Sequence, residues 1–234
     1  MCDNELTLNK GASHLKRNIY HKPTFEKTTR DRQIQVYWAA ISVFSEKGYE
    51  AASVQDIAHK AGISVGSLYS YFSSKEDLFK AIAEMGYAVL EQIVTEWSPQ
   101  KEDSFRSAMT KLFEMTLEYS RKYPDLSKLY LLLTTDSLNP YSEQLSKEME
   151  ISFRSAYVKL LENAMEKNEL RSDIDLEMAS YFIDNTAVML QFSQTSKYYQ
   201  NRLRHYLGLT AEEEIPDERI VNALVNSVCD GLCK

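Results

Sequence analysis

From about Arg30 onward, apolar residues recur at helical spacing along most of the chain. Tyr37, Ala40, Ile41 and Phe44 fall at i, i+3, i+4 and i+7, one face of a helix. Gly48 closes that helix, because a residue without Cβ accepts the left-handed backbone of a C′ position. Three short segments follow, each opened by a serine. Ser53-Val-Gln-Asp56 and Ser74-Lys-Glu-Asp77 place a carboxylate three residues after a cap, like a capping box with Asp in place of Glu or Gln. Ser64 opens the segment between them. Beyond Ser74 the pattern predicts long helices over about 75–97, 102–122, 125–136, 141–168, 175–199 and 217–232. Pro99, Pro124, Pro140 and Pro216 stand at the breaks, where a missing N–H does least harm. No β-strand, repeat or low-complexity segment emerges. Residues 1–29 are polar with no sustained apolar period and read as a mobile arm.

The expected fold is therefore all-α, and composition agrees. Seven Gly and five Pro in 234 residues are too few for a turn-rich sandwich. No apolar run approaches the ~20 residues of a membrane span. The polar first residues lack a signal-peptide core, and three cysteines are too few for a secreted disulfide scaffold. These features lead to the expectation of a cytoplasmic protein with reduced thiols and no membrane partner.

Charge sharpens the picture once it is divided. The net charge is -7, yet residues 1–80 carry 11 Lys+Arg against 9 Asp+Glu, and residues 81–234 carry 16 against 25. A basic front on an acidic body suits a phosphate-facing N-terminal part. Charge alone favours the blander reading of solvated surface, so a motif is needed.

That motif is Ser53–Phe72, SVQDIAHKAGISVGSLYSYF. Ile57, Ala58 and Ala61 form one face of a short helix, and Ala58 is small where a second helix crosses. Gly62 lies at the turn. Leu68 and Phe72, four apart, anchor the second helix. Two short helices joined by a glycine-containing turn make a helix-turn-helix. The outward face of the second helix holds Gly66, Ser67, Tyr69, Ser70 and Tyr71. Its small residues let backbone N–H groups approach phosphate, and its hydroxyls reach phosphates or base edges. No Arg, Asn or Gln stands there for bidentate base readout, so specificity depends partly on DNA shape.

These residues resemble the TetR family of bacterial transcriptional regulators. The resemblance is carried by Ala40, Phe44, Gly48-Tyr49, Ser53, Ile57-Ala58, Ala61-Gly62, Ser64, Gly66, Leu68-Tyr69, Phe72, Lys75 and Leu78-Phe79, and covers roughly residues 30–90. It implies a basic arm (1–29), a helix-turn-helix DNA-binding domain (30–90) and a larger helical effector-binding and dimerisation domain (91–234). It implies DNA contacts by Ser53, Ser64, Val65, Gly66, Ser67, Tyr69, Ser70, Tyr71 and Lys75. Lys75 adds its own signal, since a cation one residue after a helix cap is misplaced unless a phosphate lies nearby.

Aromatic residues and Met crowd the larger part, where helical spacing makes most of them core. The resemblance implies that some of them line an apolar effector cavity, and Tyr87, Phe113, Tyr119, Tyr130, Phe153, Tyr157 and Phe182 are the candidates. Val188, Met189 and Phe192, with Ile220, Leu224 and Val228 of the last helix, form stripes that could pair across a two-fold axis. The expected function is a homodimeric regulator that binds a palindromic operator in double-stranded DNA. A small-molecule effector wedged against the helix of residues 74–97 would tilt it and release the DNA. An activator of the same fold, a helical enzyme and an interaction module with a vestigial helix-turn-helix remain open.

Several features carry less. Gly62-Ile-Ser-Val-Gly66 matches a nucleophile elbow, but a helix precedes it where that motif needs a strand. His14, His21, His59 and His205 make no metal-ligand spacing, and no cofactor or metal is expected. Cys229 and Cys233, four apart, read as packing residues. Trp38 lies off the apolar face of its helix, without an account.

Overall fold

The computed structural model describes residues 20–97, 103–133, 140–210 and 213–234. Among them the fold is all-α. There is no strand, only an isolated bridge between Leu170 and Cys233. The helices are α1 (Pro23–Glu26), α2 (Arg30–Ala51), α3 (Val54–Lys60), α4 (Val65–Tyr71), α5 (Lys75–Trp97), α6 (Phe105–Lys122), α7 (Pro124–Leu133), α8 (Pro140–Glu166), α9 (Leu176–Thr195), α10 (Lys197–Tyr206) and α11 (Asp217–Leu232). Pro124 and Pro140 open helices and Pro216 caps one, as their missing N–H groups suggest. Pro99 lies outside the described residues. No described helix is long and apolar enough to cross a membrane.

The chain divides into two compact units, residues up to Ile93 with Lys128–Lys147, and Val94–Ser127 with Glu148–Lys234. In the first, Val36, Ala40, Ile41 and Phe44 of α2, Ile57 and Ala58 of α3 and Leu68 of α4 are all buried. Phe44 meets Phe79 of α5 edge-on at 5.1 Å. Gly48 has φ 76° and breaks the helical path of α2 as its sequence position predicts. Gly62, at φ 61°, makes the turn between α3 and α4.

In the second unit, Trp97, Met109, Phe113, Leu161, Ile183, Val225 and Val228 share one core. The Trp97 indole N–H donates to the Ala108 carbonyl at 3.1 Å. The Glu169 carboxylate accepts the Phe105 backbone N–H at 2.6 Å, capping the start of α6 from outside the helix. Arg121 grips Asp217 with two bonds of 2.6 Å, which holds the Asp217 carboxyl below its usual range.

Two elements depart from the sequence reading. Residues 20–29 are not a free arm, because α1 forms there and Phe25 is 1% exposed. The helix expected over 175–199 ends at Thr195. Ser196 is extended, and α10 begins immediately after it.

Candidate nucleic-acid interface

The second helix of the motif, α4, stands on Leu68, with Phe72 buried just beyond its end, at 1% and 2% exposed. Its outward side presents Gly66, Ser70 and Tyr69, the last 47% exposed. A large aromatic left that open is held there by its neighbours' burial, not by any preference of its own. The Ser64 hydroxyl accepts the Ser67 backbone N–H at 2.9 Å and lies 2.8 Å from the Ser67 hydroxyl. Ser70 donates its hydroxyl to the Ser67 carbonyl. Val65 and Ser67 are half-buried.

Three further expected contact residues are also engaged within the fold. Ser53 is the N-cap of α3, accepting from the Asp56 N–H at 3.0 Å and donating to the Asp56 carboxylate at 2.6 Å. Its single hydroxyl proton is therefore used within the fold. Lys47 adds a 2.9 Å ion pair to that carboxylate, and the Ser53 and Lys47 bonds together hold the Asp56 carboxyl below its ordinary range. Tyr71 is half-buried, its ring 5.1 Å from that of Phe25.

Lys75 is the most heavily engaged of them. Its ammonium donates to the carbonyls of Tyr49 at 2.7 Å, Ala52 at 3.1 Å and Glu50 at 3.2 Å, and sits 4.5 Å over the Tyr49 ring. All three donors are used at the C-terminal end of α2, where a cation is favoured by the helix dipole. The misplaced charge needs no phosphate to explain it.

Residues 37–82 match the family model described as "Bacterial regulatory proteins, tetR family". Over those residues the N-terminal unit is similar to TetR-type regulators. Curated relatives match part of the chain. The transcriptional regulator YvdT of Bacillus subtilis is 50% identical over 58 residues, 25% of this chain and 30% of YvdT. The nucleoid occlusion factor SlmA of Haemophilus ducreyi is 32% identical over 108 residues, 44% of this chain and 52% of SlmA. The chain thus spans about half, or less, of the length of these curated relatives. Solved structures are similar in fold over most of the chain. The transcriptional regulator FadR of Bacillus subtilis, solved with stearoyl-CoA, superposes with a TM-score of 0.61 at 20% identity, covering 84% of this chain and 95% of FadR.

The residues expected to form an effector cavity are divided between the two units. Tyr87 and Tyr130 belong to the first unit, and the other five to the second. Phe113 and Tyr157 are core, at 0% and 4% exposed. Phe153 packs half-buried on that core, and the Tyr119 hydroxyl donates to Glu96 at 2.7 Å. Phe182 points outward instead, 51% exposed. It lines an open groove of about 520 Å³ with Met189, Leu190, Leu203, Ile220 and Leu224. Of the stripe expected at a dimer interface, Met189 and Leu224 are on this groove, and Ile220 borders it while 9% exposed. Val188 is half-buried. Phe192 and Val228 are not available to a partner. Val228 is 1% exposed in the unit's own core, and the unforeseen α10 brings Tyr199 to 5.6 Å from Phe192.

The signal missed in the sequence is Pro23 with Phe25. Proline at a helix start and an aromatic two residues on mark an ordered turn inside an otherwise polar segment.

Proposed function

We propose that this protein is a homodimeric transcriptional regulator that inserts α4 of each subunit into successive major grooves of a near-palindromic operator, and that a small apolar effector releases it to relieve repression. The observation that carries the reading is the two-sidedness of α4. Leu68 is sealed beneath while Tyr69, Gly66 and Ser70 are open above, on a helix too short to be stable alone. The core therefore exists to display that face. The TetR-type match over 37–82 supports DNA as the surface it meets. FadR bound to stearoyl-CoA supports an apolar effector for a chain of this fold. The groove holding Phe182, Met189 and Leu224 supports association of two copies through the larger unit.

The test is selection of duplexes from a random pool with the full chain, followed by anisotropy titration. A palindromic consensus is expected, and Tyr69→Ala is expected to weaken binding to it at least tenfold. No enrichment at low ionic strength would refute the reading. A thermal-shift panel of acyl-CoA thioesters and free fatty acids then checks the effector class. A ligand that raises the midpoint is expected to lower operator affinity in turn, since coupling is reciprocal.

A further inference from the structure

A seven-residue helix has almost no intrinsic stability, and its last carbonyls have no partner within the helix. In α4 each is satisfied. Leu68 O accepts the Phe72 N–H at 3.0 Å. Tyr69 O accepts the Lys22 ammonium at 2.8 Å, Ser70 O accepts the Thr24 hydroxyl, and Tyr71 O accepts the Lys22 backbone N–H at 2.7 Å. Three consecutive carbonyls are thus capped by a segment more than forty residues upstream. The segment is itself fixed. Phe25 is buried with its ring 4.9 Å from Phe72 and 5.3 Å from Tyr37. The Thr28 hydroxyl and the Gln33 amide both donate to the Phe25 carbonyl, at 2.7 and 3.1 Å.

We propose that Lys22 and Thr24 are positioning residues for DNA reading: they form the C-terminal cap of α4 and fix the backbone that carries Tyr69 and Ser70. Two of the capped carbonyls belong to those two outward-facing residues. Removing the cap frees the last turn of α4, so its exposed side chains lose their fixed aim while Leu68 still anchors the helix. Lys22 also places a cation at the favourable end of the α4 dipole. The DNA half of this inference rests on the regulator reading above, and the capping half does not.

The experiment uses the full chain with Thr24→Val, which changes no charge and little volume, and Lys22→Met. Amide hydrogen exchange of residues 66–72 is expected to quicken at least tenfold in each, with exchange in α2 and α6 unchanged. Lys22→Arg, which keeps a cationic donor, is expected to restore protection relative to Lys22→Met. Anisotropy is then read on the duplex selected by the wild-type chain and on a scrambled duplex. Thr24→Val is expected to lose about tenfold in the ratio of the two affinities, with affinity for the scrambled duplex unchanged. Exchange at 66–72 staying within twofold of wild type, or quickening equally in α2 and α6, overturns the proposal. If exchange quickens locally but the ratio holds, the cap is real and the DNA role is overturned. A wild-type chain that selects no duplex removes the regulator reading, and the exchange measurement alone then decides the cap.

Discussion

A lysine in the first turn of a helix meets the wrong end of the dipole, and Lys75 escapes by turning to another helix's C-terminus. Its three carbonyl bonds and its contact with the Tyr49 ring make it a strut of the N-terminal unit. Lys75→Met is expected to lower unfolding free energy by about 1–2 kcal/mol, the scale of a charge-assisted bond at a half-buried site. Urea denaturation with an unchanged m-value checks it. Tyr69→Ala is the contrast, since its 47% exposure predicts a stability change within about 0.5 kcal/mol. Asp184 is a third case. Burial, with the nearby Glu150 charge second, raises its carboxyl to about 6, although a bond from Tyr157 pulls the other way. Because the folded value lies above that of the unfolded chain, Asp184 favours folding while protonated. That contribution is lost as pH rises from about 4 through 6. Asp184→Asn keeps an acceptor for Tyr157, and is expected to stabilise the chain at pH 7 by at most about 3 kcal/mol and to flatten that decline. Chemical denaturation at pH 4, 5, 6 and 7 measures it. The environments of Lys75 and Asp184 could not be read from the chain, because each of their partners lies more than twenty residues away.

Elements whose boundaries are set by local chemistry were legible. The serine caps at Ser53 and Ser64 open α3 and α4, and the buried faces of Ile57-Ala58 and Leu68 have the spacing that predicts them. Gly62 is in the left-handed region, where an added Cβ would meet only the Gln35 amide at 3.7 Å. Gly62→Ala is therefore expected to cost about 1–2 kcal/mol from backbone strain alone, with no steric part, visible as a lower thermal midpoint. The helices α1 and α10 were missed for a shared reason. Both are polar in sequence and short, and α10 buries no residue fully. The α9–α10 break comes at Ser196 without proline or glycine, so periodicity runs through it unmarked.

At the scale of the whole molecule, the proposed dimer predicts a sedimenting mass of about twice the 27.0 kDa chain. Met189→Glu with Phe182→Glu is expected to reduce it to one chain without altering the far-ultraviolet spectrum, since both residues are already open to water. A charge on that groove opposes burial of its apolar surface against a copy of itself. Salt belongs here too. Operator affinity is expected to fall steeply with ionic strength despite the net charge of -7, because the acidic excess lies beyond residue 80.

The sequence by itself determined the all-helical class, the helix-turn-helix and the outward face of Tyr69, because these follow from spacing, caps and a glycine within one stretch of chain. Only the tertiary structure decided that Lys75 serves α2, that Phe192 and Val228 are core, and that Lys22 and Thr24 close α4. A donor's partner is whichever unsatisfied group folding brings within about 3 Å, and along the chain nothing marks a carbonyl that its own helix leaves unpaired.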